Sequence, residues 1–419
     1  MDLFDDLFAS YSAFYLAHGP QPDRAARAPW VFADLWDRRG WRPDPAQTLL
    51  VTGSKGKGTV ARQLAWSLQA EGPTGLVVSP EECGHLDRIR IDNQPISAAA
   101  FERLWRAIAP EAQAMAAQAG AGRYLSPSGW FLSVALAWFH ERGVRRVVVE
   151  GGRGVCCDEI GQLGARLGVV TSVYGEHLAA IGPTLADVWD DKLALAARVR
   201  RLVVAPQVAQ AAQALGRQLP AHAIVAPAQQ ACVRPGEPAW LEHERALSAA
   251  ALAAWSPRAR LRWQNSPSFT RTSLAGTPLW LEPVVHPDSL DPAFLHHLAG
   301  QGVAVVLGLP DDKAVGAILA RLAASGLTDL AAFALCSPVG HVQSRWIERA
   351  PALRRLGLLD VVHPDVDALR AQLAQHAAQR RGLYVIGVQV FVRTLRAVCG
   401  LALAGPTDHD GSSKGMIAP

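Results

Sequence analysis

A glycine-rich loop with two lysines follows a short apolar run near residue 50. The run Leu49–Thr52 predicts a buried strand, and the apolar spacing from Val60 to Leu68 predicts a helix. A glycine-rich turn between a strand and a helix exposes backbone N–H groups at the positive end of the helix dipole, which suits phosphate. The residues of this loop are Gly53, Ser54, Lys55, Gly56, Lys57, Gly58 and Thr59.

Two side chains of this loop offer chemistry beyond the backbone. The ammonium group of Lys57 would reach the β- and γ-phosphates of a nucleotide, and the hydroxyl group of Thr59 could ligate Mg²⁺. The usual pattern places the hydroxyl residue directly after the lysine, whereas Gly58 intervenes here. The alternative is an ordinary strand-to-helix turn with two solvated lysines.

Strands and helices alternate along most of the chain. Continuous apolar strands separated by helices predict a parallel sheet that is covered on both faces. The predicted strands are 49–52, 75–79, 144–150, 168–172 and 201–205, followed by 279–282, 303–307, 330–335, 361–362 and 382–386. The predicted helices between the earlier strands include 98–117, 130–141 and 185–198. We therefore expect an α/β chain, with a P-loop parallel-sheet ATPase domain over 1–256, a smaller Rossmann-like α/β domain over 257–404 and a disordered tail over 405–419.

Composition narrows the class of protein. A chain of 419 residues exceeds what one hydrophobic core usually organises, which supports two domains. The net charge of +4 comes from scattered arginines rather than a basic stripe, so we do not expect nucleic-acid binding. The six cysteines lack the spacing of a disulfide framework or zinc ribbon. The acidic N-terminus and the lack of an eighteen-residue apolar run favour a cytoplasmic protein without membrane contact.

The loop and further segments resemble, in order, the folylpolyglutamate synthase and dihydrofolate synthase branch of the Mur ligase superfamily. The resemblance runs from about residue 20 to 205, and more faintly from 255 to 400. The matching segments after the loop are Gly75–Pro80, Asp87–Ser97, Val148–Glu150 with Asp158, Thr171–His177, Gly182–Thr184 and Asp191–Lys192.

The resemblance implies two metal sites beside the nucleotide. One Mg²⁺ would be held by oxygen atoms of Thr59, Ser79 and Glu150, which follow strands whose ends share one sheet edge. The second would be held by His177 and by a carbamate formed on Lys192. Simpler interpretations remain for three of these residues. Ser79 could start a turn, His177 could be a structural histidine, and Lys192 could be a solvated helix residue.

The resemblance also implies an activity. A carboxylate would be phosphorylated by ATP and then attacked by an amino acid or another amine, with release of ADP and phosphate. The implied catalytic residues are Lys57, Glu150, His177 and Lys192. The second domain would close over the nucleotide, with Arg260, Glu282 and His286 at positions of nucleotide contacts, and Glu282 is expected to hold the ribose hydroxyls. Asp312 and Lys313 occupy further family positions, although surface charges are an equal alternative. We expect a monomer.

Several positions depart from the family pattern. Glu81 replaces a histidine, Gly129-Trp130 replaces a Phe-Glu pair, and His286 replaces an asparagine. These departures predict an acid substrate other than a folate. Three alternatives stay open: a folylpolyglutamate or dihydrofolate synthase proper, an inactive ATP-binding regulatory subunit, and a P-loop kinase or GTPase. The last class lacks a base-recognition motif in this sequence.

Overall fold

The computed structural model describes residues 3–19, 21–81, 84–118, 122–228, 236–262, 269–284, 286–337, 342–350 and 353–401. The expected disordered tail, 405–419, lies outside these ranges. The helices are α1 Leu3–His18, α2 Asp23–Ala26, α3 Pro29–Arg39, α4 Lys57–Leu68, α5 Ala98–Gln118, α6 Pro127–Glu141, α7 Leu185–Leu193, α8 Pro206–Ala214, α9 Trp240–Trp255, α10 Pro292–Gly300, α11 Val315–Ala324, α12 Val366–Ala377 and α13 Gln389–Val398. The strands are β1 Thr48–Thr52, β2 Thr74–Val77, β3 Ile89–Ile91, β4 Gln94–Pro95, β5 Arg146–Glu150, β6 Ala165–Val170, β7 Val199–Val204, β8 Ala223–Val225, β9 Thr270–Leu274, β10 Thr277–Pro283, β11 Ala304–Gly308, β12 Leu330–Cys336, β13 Arg354–Asp360 and β14 Leu383–Gly387.

The first sheet places β1 between β5 and β6. Its strand order is β4-β3-β2-β5-β1-β6-β7-β8. The pairs from β2 to β8 are parallel, while β3 and β4 add an antiparallel edge. The carboxyl ends of β2, β5, β1 and β6 therefore lie side by side, and the segments that follow these strands meet at one edge of the sheet.

The second sheet is also mostly parallel. Its strand order is β13-β12-β11-β14-β10-β9, and β9 is the antiparallel member at one edge. The predicted α/β class, with a parallel phosphate-loop sheet followed by a second α/β unit, is confirmed. The strand predicted at 361–362 is wrong, because β13 ends at Asp360. The predicted division at residues 256 and 257 follows the end of α9 and stays a prediction.

Buried valines and leucines explain why these segments form the sheet. Every residue of β1 is buried, and β5 buries all positions after Arg146. Helix α4 covers β1, β2 and β5 and packs beside α9, so the helix that begins at the phosphate loop is anchored by the core. In the described part of the chain, every helix is too short or too polar to span a bilayer.

Candidate active site

The glycine-rich loop lies between the end of β1 and the first turn of α4, as the sequence predicts. Gly53 (φ +138°) and Gly56 (φ +87°) adopt backbone angles that residues with a side chain rarely take. A Cβ atom on Gly53 would lie 2.1 Å from Thr171 Oγ1, so the space beside this residue is also closed. Backbone geometry therefore requires glycine at both positions, whatever the loop binds.

Two hydroxyl side chains that follow β6 hold the loop in place. Thr171 Oγ1 and Ser172 Oγ donate to the carbonyl oxygen of Lys55 over 2.6 and 3.0 Å. In return, Ser54 Oγ accepts from the backbone N–H of Tyr174 at 3.0 Å. The loop is thus fixed by its neighbouring strand before a ligand arrives, which lowers the entropic cost of binding.

A cavity of about 420 Å³ opens over the loop. Lys57, the first residue of α4, lines this cavity, and its Nζ donates to the carbonyl oxygen of Ser54 at 3.3 Å. The second sheet and its loops contribute lining residues that include Val284 and Lys313. The predicted site residues that line the cavity are Ser54, Lys55, Gly56, Lys57, Gly58, Ser79, Glu150 and His177.

Ser79 and Glu150 lie beside each other in the cavity wall. The backbone N–H of Ser79 donates to Glu150 Oε2 at 2.9 Å, and Glu150 is only 6% exposed. Their proximity follows from the sheet order, because Ser79 comes just after β2 and Glu150 ends the adjacent strand β5. A carboxylate and a hydroxyl group together offer the hard oxygen donors that Mg²⁺ prefers.

Glu176 connects the two residues that the resemblance assigns to a second metal ion. Lys192 Nζ lies 3.2 Å from Glu176 Oε1, and His177 Nε2 lies 3.7 Å from Glu176 Oε2. Burial acts to raise the pKa of Glu176, but the ammonium group of Lys192 and other nearby donors outweigh it and lower the pKa to about 2. Burial lowers the pKa of His177 well below its ordinary value, so the ring is neutral near pH 7.

Lys192 lies behind the loop rather than in the cavity wall. Its Nζ donates to the carbonyl oxygen of Gly53 at 2.9 Å, and the residue is 1% exposed. Glu176 was not among the predicted site residues, although its place directly before His177 in a family-like segment was a usable signal. The buried pair of Glu176 and Lys192 supports the first residue of the loop from beneath.

Lys55 joins the loop to the second sheet. Its Nζ donates to Glu282 Oε1 and to the carbonyl oxygen of Ser289, the latter at 3.2 Å, and lies 4.2 Å from the centre of the Trp240 ring. Glu282 also accepts from Trp240 Nε1 at 3.0 Å and from the Tyr384 hydroxyl group at 2.6 Å. The carboxyl group of Glu282 is therefore engaged within the protein, and its contact with a ribose stays a prediction.

Glu244 approaches the loop from α9 and was not predicted. A Cβ atom on Gly56 would lie 2.0 Å from Glu244 Oε1, and the Thr59 hydroxyl group donates to the Glu244 carboxylate. Glu244 is 6% exposed, and burial raises its pKa to about 8. The signal for it was its position on the apolar face of α9, in line with Leu241 and Ser248, where an acidic residue is costly without a partner.

Six predicted residues lie outside the cavity lining: Gly53, Thr59, Lys192, Arg260, Glu282 and His286. Thr59 is fully buried beneath α9. Arg260 is exposed, and its guanidinium group donates to the carbonyl oxygens of Pro257 and Ala259. His286 stacks on Tyr174, with ring centres 5.6 Å apart. Their nucleotide and metal contacts, like those of Lys192, stay predictions.

An aromatic wall that the sequence did not predict closes another side of the cavity. Phe8 and Tyr11 of α1 line it together with Tyr124, and the rings of Tyr11 and Tyr124 are 5.3 Å apart. Burial raises the pKa of Tyr124 to about 12, so its hydroxyl group keeps its proton at neutral pH. Arg153 also lines this side, and its Nε donates to Asp23 Oδ2 at 2.9 Å. This wall offers flat apolar surfaces together with polar groups.

The positions that depart from the family pattern have structural partners. Glu81 is 4% exposed and accepts hydrogen bonds from Arg88 and from Arg393 of α13. It therefore links the first α/β unit to the second. The indole of Trp130 packs against Phe32 and Trp105, with ring centres 5.0 and 4.6 Å apart. These contacts explain both substitutions through packing and charge pairing.

The described residues fit a nucleotide-bound metal better than an independent one. No three histidine, cysteine or acidic side chains among them converge as a ready metal site. Ser79 and Glu150 provide two oxygen donors at the cavity, and Mg²⁺ commonly completes its coordination with phosphate oxygens and water. These two residues are therefore suitable to hold Mg²⁺ once a nucleotide is present.

The chain has the fold of solved folylpolyglutamate synthases, with a phosphate-loop α/β unit followed by a second α/β unit. The solved folylpolyglutamate synthase of Mycobacterium tuberculosis, complexed with ADP, superposes with a TM-score of 0.71 at 19% identity, covering 96% of this chain and all of that one. A bifunctional folylpolyglutamate synthase/dihydrofolate synthase solved with Mn, AMPPNP and L-glutamate gives a TM-score of 0.67 at 19% identity, covering 94% and 98%. At such identities the likeness shows the fold.

Sequence similarity points to the same proteins over a shorter span. A probable bifunctional folylpolyglutamate synthase/dihydropteroate synthase of Halobacterium salinarum is 30% identical over 176 residues, which is 42% of this chain and 21% of that relative. The matched stretch thus spans about a fifth of that relative's length. No family model matches the chain. The chain is thus similar in sequence to folylpolyglutamate and dihydrofolate synthases over part of its length and in fold over nearly all of it, which confirms the resemblance seen in the sequence.

Proposed function

We propose that the chain is an ATP-dependent ligase that joins a carboxylate to an amine and releases ADP and phosphate. The observation that carries this proposal is a single cavity shared by the phosphate loop, the Ser79–Glu150 pair and Lys313 of the second α/β unit. A kinase would also need a phosphate site. The likeness to folylpolyglutamate synthases along nearly the whole chain favours the ligase.

The proposed reaction has two steps. A carboxylate oxygen of the acid attacks the γ-phosphorus of ATP, and ADP leaves. The nitrogen of the amine then attacks the acyl carbon, phosphate leaves, and the nitrogen loses a proton. Lys57 and the N–H groups of the loop would hold the phosphates, and the walls of the cavity would keep water from the acyl phosphate. Mg²⁺ held by Ser79 and Glu150 would supply charge neutralisation.

For the acid, a folate or pteroate is the leading candidate, and L-glutamate is the leading amine. The names of the relatives support both, including the neighbour solved with L-glutamate. The expectation of a non-folate acid has lost its main support, because Glu81 and Trp130 are engaged with protein partners. The aromatic wall of Phe8, Tyr11 and Tyr124 is compatible with a flat ring system. A different acid remains the second candidate.

The finer parts of the proposal are a second metal ion, a carbamate on Lys192, a monomeric state and a cytoplasmic location. A carbamate would replace the bonds that the Lys192 amine now donates to Gly53 and Glu176. Carbon-13 NMR with labelled bicarbonate tests it directly. A carbamate resonance that is missing in Lys192→Arg supports this part, and an identical spectrum in both proteins rejects it.

The test of the main proposal is an assay of purified protein with ATP, Mg²⁺, L-glutamate and a panel of acids headed by dihydropteroate and tetrahydrofolate. ADP and phosphate should appear only when both acid and amine are present, with a product of the mass of their condensation. Lys57→Ala should abolish turnover, while Arg106→Ala, a control at an exposed residue of α5, should retain it.

Other results would identify the alternatives. Release of AMP and pyrophosphate would contradict an acyl phosphate intermediate. A phosphorylated product without an amide would favour the kinase. Nucleotide binding without turnover across the panel would favour a regulatory subunit, and activity with a non-folate acid alone would restore the second candidate for the acid.

A further inference from the structure

Glu244 has a position that packing alone does not explain. It projects from α9 toward the first turn of α4, and α4 and α9 pack against each other. Its carboxyl group lies so close to Gly56 that any side chain there would collide with it. A buried acidic group is costly unless its partners compensate for lost hydration, so a retained one calls for a specific role.

The hydrogen bond between Thr59 and Glu244 is the contact that suggests this role. A threonine hydroxyl group has one proton to donate and two lone pairs, so its proton acceptor determines where the lone pairs point. In a helix, threonine can donate to the carbonyl oxygen four residues earlier, which is that of Lys55 here. That oxygen already accepts from the hydroxyl groups of Thr171 and Ser172. Glu244 supplies the alternative partner, and its carboxyl group forms a side-chain hydrogen bond with Thr59.

We propose that Glu244 is a positioning residue of the nucleotide site: it holds the Thr59 hydroxyl group so that an oxygen lone pair faces the Mg²⁺ of a bound nucleotide. This inference rests on the proposed function and on the prediction from the sequence that the Thr59 hydroxyl group ligates Mg²⁺ together with Ser79 and Glu150. Residues that orient a metal ligand typically contribute roughly 10–100-fold to metal affinity. Glu244 acts through Thr59 and does not itself contact the reacting atoms.

The second carboxyl oxygen supports a specific orientation. Within the described part of the chain, Glu244 Oε2 is buried and has no hydrogen-bond partner. The charge of Lys55, a residue of the loop, acts against the burial that raises the pKa of Glu244, while the Lys55 ammonium group is hydrogen-bonded to Glu282. The carboxyl group is therefore held by its hydrogen bond with Thr59 and by its fit against Gly56, with the nearby charge of Lys55 as a further favourable contribution.

The test measures nucleotide binding rather than turnover, with a fluorescent ATP analogue titrated in Mg²⁺ and again in EDTA. Glu244→Met fills the same volume without a carboxyl acceptor, and Glu244→Gln keeps an acceptor oxygen. We expect Glu244→Met to lose at least ~10-fold in Mg²⁺-dependent affinity with little change in EDTA, and Glu244→Gln to retain most of it. Glu242→Ala is the matched control, because Glu242 is equally buried on α9 but pairs with Arg245.

A double-mutant comparison separates positioning from general stability. In a Thr59→Ala background, Glu244→Met should cause no further loss of Mg²⁺-dependent binding, because the two residues act as one unit. Additive losses, unchanged affinity in Glu244→Met or tighter binding would each overturn the inference. Thermal melting shows whether each variant folds. If Glu244→Met does not fold, Glu244→Gln is measured in its place. Loss of Mg²⁺-dependent affinity in Glu244→Gln would also overturn the inference. Failure of the wild-type protein to bind nucleotide under either condition would instead reject the proposed function.

Discussion

The side-chain amine of Lys192 lies 2.9 Å from the carbonyl oxygen of Gly53, so a residue of α7 supports the first residue of the phosphate loop. The same amine pairs with Glu176, and both side chains are almost fully buried. Asp191, the preceding residue, accepts from the backbone N–H groups of Val155 and Cys156, which fixes α7 against the loop after β5. One turn of α7 thus supports two loops of the cavity.

Replacement of Lys192 should destabilise the fold as well as the site. Lys192→Met leaves Glu176 as an uncompensated buried charge, and we expect a loss of about 3–5 kcal/mol in the free energy of unfolding. The double variant Lys192→Met with Glu176→Gln should recover a substantial part of the lost unfolding free energy, because it no longer buries an unpaired charge. Urea denaturation measures both variants. Equal stability of Lys192→Met and the wild-type protein would show that the pair contributes nothing net.

A side chain at Gly56 should disturb the loop in two separable ways. Gly56→Ala meets both an unfavourable backbone angle and the carboxyl group of Glu244. Gly143→Ala is a matched control, because Gly143 also has a positive φ (+64°) but has open space around it. We expect Gly143→Ala to cost about 1–2 kcal/mol and Gly56→Ala to cost more. In the double variant Gly56→Ala with Glu244→Ala, the additional cost in unfolding free energy from the steric contact should disappear. Denaturation curves that coincide for Gly56→Ala and Gly143→Ala would contradict the steric contact.

The Glu81–Arg393 ion pair should hold the two α/β units together. Glu81→Ala removes the common partner of Arg88 and Arg393, leaving cations that are largely buried, and should destabilise the protein by about 3–5 kcal/mol. Small-angle scattering should show a larger radius of gyration in Glu81→Ala and in Arg393→Ala. Glu141→Ala breaks the exposed pair with Arg103 and should change stability by less than about 1 kcal/mol. An unchanged radius of gyration in both Glu81→Ala and Arg393→Ala would contradict the bridging role of this ion pair.

Acid should destabilise the second unit through His376. This α12 residue is 2% exposed, neither ring nitrogen has a hydrogen-bond partner among the described residues, and burial lowers its pKa from 6.5 to about 4. Since the unfolded chain binds the proton more tightly, the contribution of neutral His376 is complete above pH 6.5 and is lost as the pH falls toward 4. His376→Leu should flatten the dependence of unfolding free energy on pH in this window. If the unfolding free energies of the wild-type protein and His376→Leu change in parallel with pH, the lowered pKa of His376 is contradicted.

The phosphate loop and the first sheet were predictable because their signals are local. Continuous valine and leucine runs mark strands that are buried on both faces, and glycine spacing marks the turn that follows β1. The edge strand β13 was not predictable in this way. It is largely solvent-accessible, with Leu358 58% exposed, so the neighbouring apolar pair at 361–362 gave a stronger but misleading signal.

The site residues that sequence reasoning missed depend on contacts between distant segments. Glu244 meets a loop that lies almost half the chain away, and Tyr11 enters the cavity only because α1 packs near Tyr124. The predicted residues Lys57, Ser79, Glu150 and His177 all line the cavity, because the strands that precede them end along one edge of the sheet. Arg260 was taken from the resemblance alone; it is exposed and donates to the carbonyl oxygen of Pro257, and its nucleotide contact stays a prediction.

The contact between Lys55 and Trp240 has an optical consequence. The indole of Trp240 is stacked with an ammonium group and hydrogen-bonded to the Glu282 carboxyl group, so its excited state experiences both charges. When nucleotide or a change in the angle between the two sheets alters this arrangement, the emission of Trp240 should shift. The difference spectrum between the wild-type protein and Trp240→Phe isolates that signal from the other tryptophans, giving stopped-flow kinetics of loop engagement without an attached dye.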